Sequence, residues 1–96
     1  METLNSHFFY VLRCADNSYY GGYTIDLMRR LNQHNEGKAS KYTRTRLPVS
    51  LLHSERFETK REAMQAEYSF KQLSRAKKNQ YLLEREALHD FDTAKL

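Results

Sequence analysis

Residues 7–14, His7-Phe8-Phe9-Tyr10-Val11-Leu12-Arg13-Cys14, are rich in aromatic and β-branched types and predict a strand. Asp16-Asn17-Ser18 supplies turn chemistry, and Tyr19 to Tyr23 reads as the return strand of a hairpin. Alternation places Phe8, Tyr10, Leu12 and Cys14 on one face of the first strand. A hairpin loop with an odd number of residues, such as Asp16-Asn17-Ser18, brings Tyr20 onto the same face as Tyr10. Apolar spacing then changes to a helical period. Thr24 is the expected N-cap of a helix from about Ile25 to Glu36, closed by Gly37. Residues 38–48 read as a basic loop ending at Pro48, and Leu51 to Phe57 as a third strand. Thr59-Lys60-Arg61-Glu62 is a capping box opening a helix to about Leu73. Ser74 can cap a last helix from Arg75 to about His89. The order β-β-α-β-α-α predicts a mixed α/β (α+β) fold, a small three-stranded sheet flanked by helices. Residues 7–85 are expected to form one domain, with 1–6 and 90–96 as frayed termini.

Composition narrows the class. The chain has 96 residues, 40% of them hydrophobic and 29% charged, enough for one modest core and against wholesale disorder. No apolar run approaches the ~18–20 residues of a membrane span, and no basic segment precedes the short apolar run near the N-terminus, so a secretory signal is not expected. One cysteine, Cys14, allows no internal disulfide and no cysteine-based zinc site. These features point to a soluble protein of a reducing cytoplasm. The net charge of +4 is uneven: residues 1–36 carry −1, residues 37–85 carry +7 and residues 86–96 carry −2. Positive charge concentrated in a small domain is the footprint of a polyphosphate binder, although a solvated Lys-rich helical face gives the same count.

Several residues resist a purely structural reading. On the first helix Leu27, Met28 and Leu31 form the apolar stripe, with Arg30 and His34 four apart along its edge. A snorkelling Arg30 and a His34 paired with the helix dipole are the ordinary alternatives. On the next helix Ala63, Ala66, Phe70 and Leu73 mark the buried stripe, and Glu67 falls among them. A carboxylate there costs several kcal/mol to desolvate unless it is paired or holds a cation. An ion pair with Lys71 one turn on is the competing account. Gly21-Gly22 inside a strand leaves bare backbone that a ligand or another backbone is expected to approach. The histidines His7, His34, His53 and His89 lack metal-ligand spacing, and no G-x-x-x-x-G-K-[ST], H-E-x-x-H, C-x-x-C or G-x-S-x-G occurs.

Tyr20-Gly21-Gly22 followed by Thr24, Leu27 and Arg30 resembles the second half of the GIY-YIG nuclease motif, and Phe8-Phe9-Tyr10 occupies the place of the first half. Gly37-Lys38-Ala39-Ser40-Lys41-Tyr42-Thr43-Arg44 and the segment Ala66 to Arg75 resemble the small stand-alone bacterial members of that superfamily. The resemblance covers about residues 7–83. It implies that Tyr10, Tyr20, Arg30, His34 and Glu67 line one active site. Glu67 would bind Mg²⁺ or Mn²⁺, Arg30 would hold the scissile phosphate, and Tyr10 with Tyr20 would manage the attacking water. The chain departs from the family pattern in carrying Phe8 and Phe9 for Gly and Ile, Gly21 for Ile, and Tyr23 where some relatives carry Lys. A late asparagine used by some members is not placed by the sequence.

This resemblance implies a metal-dependent endonuclease acting on DNA, with RNA left open. With no helix-turn-helix or zinc-finger module legible in the sequence, low sequence specificity, or specificity for DNA shape, is expected. Lys38, Lys41, Arg44, Arg46, Arg75, Lys77 and Lys78 would supply backbone contacts. A monomer or weak homodimer is expected, with no membrane partner. The main rival is a nucleic-acid-binding module of the same fold without turnover; a weaker one is an adaptor whose basic face meets an acidic protein.

Overall fold

Strand β1, His7–Arg13, is the central strand of a three-stranded antiparallel sheet ordered β2-β1-β3, with β2 at Tyr19–Thr24 and β3 at Ser50–Phe57. Its central position follows from its composition, because both faces of a central strand are covered and β1 is apolar on both. The structure, a computed structural model, describes residues 6–94, with side chains through Glu86. The helices are α1 (Leu27–Asn35), α2 (Lys41–Arg44), α3 (Lys60–Lys71) and α4 (Arg75–Ala94). The β-β-α-β-α-α order is therefore as expected, with one short helix added. None of the described helices is long and apolar enough to cross a membrane.

The β1–β2 register pairs Phe8 with Thr24, Tyr10 with Gly22 and Leu12 with Tyr20, so Tyr20 does share a face with Tyr10. The connection is odd-numbered because Cys14 N–H donates to Ser18 O and Asn17 takes a left-handed φ of 67°. Alternation then divides the core in two. Tyr10, Leu12 and Cys14 pack with Val49, Tyr20, Leu47 and the α1 residues Leu27 and Leu31. Phe9 and Val11 pack on the opposite face with Phe70, Ala66 and Leu73, and with Tyr81 and Leu82 of α4. Cys14 is a buried free thiol in the first of these clusters, as a small core residue should be.

Three local expectations change. Asp26, not Thr24, caps α1: its carboxylate accepts the Arg29 N–H at 3.1 Å. Thr24 stays on β2, and its hydroxyl accepts the Asp26 N–H at 3.1 Å, shaping the turn into the helix. The segment 38–48 is not all loop. Ser40 accepts the Thr43 N–H at 3.1 Å and caps the four-residue α2. The last helix extends past His89 to Ala94; residues 1–5 and 95–96 of the expected frayed termini lie outside the described residues.

Helix ends are otherwise fixed as the sequence indicated. Gly37, at φ +77°, ends α1: its N–H donates to His34 O, and Lys38 N–H donates to Gln33 O, both at 2.9 Å. Thr59 accepts the Glu62 N–H at 3.1 Å and starts α3. Asn35 joins the end of α1 to the approach to β3, donating to Val49 O at 3.0 Å and accepting Val49 N–H at 2.8 Å.

Candidate active site

Tyr10 lies at the centre of the arrangement because β1 is the middle strand and Gly22 faces it across the β1–β2 pair. A Cβ on Gly22 would fall 2.4 Å from the Tyr10 hydroxyl oxygen. The bare backbone at Gly22 thus accommodates the Tyr10 ring, and that at Gly21 faces the rings of Phe70 and Phe9, where a ligand or a second backbone had been expected. Tyr10 Oη is 2.8 Å from His34 Nε2, brought inward by the last turn of α1. His34 is 1% exposed, so the dipole-facing surface histidine is not what forms. Its other nitrogen, Nδ1, is 2.8 Å from Thr43 Oγ1, and Thr43 Oγ1 is 2.9 Å from Ser40 Oγ. Tyr20 meets the His34 ring edge-on at 5.1 Å between centroids and stacks toward Tyr42 at 6.1 Å.

Electrostatics keep this line neutral. Burial, reinforced by Tyr20 and Glu67 and opposed by Arg30, pushes the Tyr10 phenol well above its ordinary range. Burial, and then the Arg30 guanidinium, bring His34 down from 6.5 to about 4. Arg30 therefore bears on both groups at once. With Arg29 it also lines a hollow of about 260 Å³ beside Thr24, Asp26 and Gln33. A partly sheltered guanidinium beside a phenol and an imidazole is a fork suited to a phosphate.

Glu67 reaches the same region from α3, on the other side of the sheet edge. Its side chain is 18% exposed and its charge is felt at Tyr10. Lys71 Nζ is 2.7 Å from Glu67 Oε2 and 5.5 Å from the centre of the Tyr20 ring. The ion pair with Lys71 therefore forms, and from it the Glu67 charge is felt at the Tyr10 phenol. The Lys71 stem runs past Gly21, 3.8 Å from where a Cβ would project, an ordinary contact distance. Among the described residues no group of three or more His, Cys, Asp or Glu converges. A cation held entirely by protein ligands is therefore not provided for among them. Mg²⁺ usually takes one or two carboxylates and completes its shell with water and substrate phosphate, and a lone, half-sheltered Glu67 fits that demand.

The expected backbone-contact residues divide into two groups. Lys38, Lys41 and Arg44 border a hollow of about 210 Å³ around the start of α2. Arg46 is engaged by Asp16 at 3.1 Å and lies 3.8 Å over the Tyr42 ring. At the start of α4, Arg75 covers Tyr19 at 3.9 Å, Lys78 lies 5.4 Å from the Phe70 ring, and Lys77 is exposed. The α4 asparagine, Asn79, accepts from the Tyr19 hydroxyl at 2.6 Å and from Arg75 at 3.2 Å, which ties α4 to β2. Thr43, Ser40 and Arg29 were not singled out by the sequence reading. For Thr43 a signal existed, the Ser-x-x-Thr spacing of a capped turn directly after α1.

The fold and these groupings define a GIY-YIG domain. The model of the GIY-YIG catalytic domain matches residues 6–81, and the chain belongs to that family. More narrowly, it is similar to the small proteins named UPF0213. The protein RBAM_000440 of Bacillus velezensis is 72% identical over 85 residues, covering 88% of this chain and 85% of that one. YazA of Bacillus subtilis is 60% identical, with the same coverages. Among solved structures, EF2693 from E. faecalis is 50% identical, covers 91% of this chain and 93% of its own, and has a TM-score of 0.61. BH0048 from Bacillus halodurans is 48% identical over 80% of this chain and 82% of its own, at a TM-score of 0.54. GIY-YIG is a nuclease superfamily, which supports an endonuclease class for this chain.

Proposed function

We propose that this chain is an endonuclease that hydrolyses DNA phosphodiester bonds with low sequence specificity, in a reducing cytoplasm where Cys14 stays a thiol. The observation that carries the reading is the buried Tyr10–His34 contact of 2.8 Å with Arg30 and Glu67 bearing on the same phenol. Arg30 holds the scissile phosphate through its planar fork. Tyr10 is a poor base alone, at a reference pKa of about 10. It can accept a proton from the attacking water while its own proton passes to His34 Nε2. The water oxygen bonds to phosphorus, the bond to the leaving oxygen breaks, and that oxygen is protonated in turn. Tyr20, edge-on to His34, lines the water's approach. Glu67 would hold Mg²⁺ or Mn²⁺, which when bound neutralises charge on the phosphoryl oxygens. Lys71 has to release Glu67 for this, and its freed ammonium remains beside Tyr20. Lys38, Lys41, Arg44, Arg46, Arg75, Lys77 and Lys78 supply salt-sensitive backbone contacts.

A plasmid-nicking assay with Mg²⁺ and with Mn²⁺ tests this. Arg30→Ala and Glu67→Ala should each lower the rate by about 10²–10³-fold, with the thermal melt retained. Nicking that persists in the folded variants rejects the assignment. One observation favours the second reading, a binding module without turnover: Lys71 already occupies Glu67 at 2.7 Å. Salt-sensitive DNA binding with no nicking selects it.

A further inference from the structure

We infer that Thr43 is a positioning residue that fixes the tautomer of His34, and with it the direction in which the Tyr10 proton can move. The inference rests on the hydrolytic reading above for its consequence, but not for its geometry.

His34 is neutral over most of the working range, because burial and Arg30 hold it near 4. A neutral imidazole carries one N–H, and the two ring nitrogens have different partners: Tyr10 Oη at Nε2 and Thr43 Oγ1 at Nδ1, each at 2.8 Å. Two arrangements satisfy both contacts. In one, Nδ1–H donates to Thr43 and Nε2 accepts from the Tyr10 hydroxyl. In the other, Thr43 donates to Nδ1 and Nε2–H donates to Tyr10. A phenol is a much stronger acid than a neutral imidazole N–H, and an imidazole nitrogen is a much stronger base than a phenol oxygen. The Tyr10 contact therefore favours O–H donating to Nε2. The alcohol of Thr43 is a good acceptor for the remaining N–H.

Ser40 completes the arrangement. Its hydroxyl oxygen accepts the Thr43 backbone N–H at 3.1 Å and is 2.9 Å from Thr43 Oγ1, so the Thr43 hydroxyl can donate to it while accepting from His34. Thr43 is 0% exposed, so its hydroxyl is shielded from bulk water. The four residues form one line from the sheet to the cap of α2, with the Tyr10, His34 and Thr43 donors each matched to an acceptor.

Only the Nδ1–H tautomer leaves Nε2 able to receive the Tyr10 proton. As the water bonds to phosphorus, its proton passes to Tyr10 Oη and the Tyr10 proton to Nε2. His34 becomes an imidazolium with Nδ1–H still on Thr43, and returns the proton when the leaving oxygen takes one up. The neutral alcohol orients the ring as a carboxylate does in a Ser-His-Asp triad, without raising its basicity. α2 also carries Lys41 and Arg44, so the element that presents Thr43 inward bears two of the cations assigned to the nucleic-acid backbone.

Nitrogen-15 NMR of the His34 ring in the free 96-residue protein tests the assignment without any substrate. Wild type should show a protonated Nδ1 and a bare Nε2; a protonated Nε2 overturns the proposal. Thr43→Val, which removes the hydroxyl at nearly constant volume, should move the proton to Nε2, where Tyr10 is the one remaining acceptor. Thr43→Ser should restore the wild-type pattern, and an unchanged tautomer in a folded Thr43→Val overturns the proposal as well. In the nicking assay Thr43→Val should lower kcat by about 10²-fold with KM little changed, and Thr43→Ser should recover most of it. Absence of nicking in wild type rejects the hydrolytic reading, while the ring spectrum still decides the tautomer.

Discussion

Gly22 and Gly21 are adjacent in β2 yet answer to different constraints. At Gly22 any side chain meets Tyr10, with an added Cβ 2.4 Å from both Cζ and Oη. At Gly21 the nearest atoms are Phe70 at 3.4 Å and Phe9 at 3.6 Å, close to ordinary contact. Gly22→Ala should therefore cost about 1–3 kcal/mol in urea unfolding and displace the Tyr10 ring from His34. Gly21→Ala should stay within about 1 kcal/mol, because Phe70 need give only a few tenths of an ångström. Equal midpoints for the two variants would refute the distinction. The sequence marked the pair as unusual but not its partner, since the filling ring belongs to a facing strand and depends on register. The departures from the family pattern fit together here: Phe9 puts a ring where Gly21 leaves space. Glu67 was legible as a carboxylate on an apolar stripe. Its association with Tyr10 came only through the family resemblance, because helical periodicity cannot relate residues so far apart in the chain.

At the scale of elements, strands and long helices were readable because each carries several apolar repeats, whereas α2 carries none. Four residues cannot declare a period, and α2 is held by contacts at its ends instead. Ser40 caps it from one side; on the other, Asn35 clasps both backbone groups of Val49 beyond it. Asn35→Ala leaves that N–H and C=O without their partner, at a cost of about 2 kcal/mol. The loss should be local first: amide exchange at Thr43 and Val49 should quicken more than at Val11, in the middle of β1. Uniform acceleration across the sheet would show instead that Asn35 acts only on global stability. The α1 cap shows the same limit of reading, since Thr24 and Asp26 are both good caps by type. Pairing of Thr24 with Phe8 in the sheet decides for Asp26.

Among the described residues, a part-buried polar system on one face of the sheet and a buried one on the other respond to acid in different ranges. On the α4 face, burial alone would raise Glu55. Hydrogen bonds from His53, Tyr81 and Arg85 outweigh it and hold the carboxyl at about 2, against 4.5 ordinarily. A depressed acid stabilises the fold above its unfolded value, so this contribution is whole above 4.5 and is lost as pH falls to about 2. On the α1 face, His34 is depressed from 6.5 to about 4. Above 6.5 it is neutral in both states and neutral to stability. Below 6.5 the unfolded chain takes up its proton first, so stability falls until pH reaches about 4 and then levels. Each system is worth up to about 3 kcal/mol over its range. Urea midpoints should therefore decline in two stages on acidification, beginning near pH 6.5. His34→Gln should flatten the upper stage and spare the lower one, while Glu55→Gln should do the reverse. If wild type keeps a level midpoint from pH 7 to 4.5, His34 is not the neutral buried group that the proton line to Tyr10 requires.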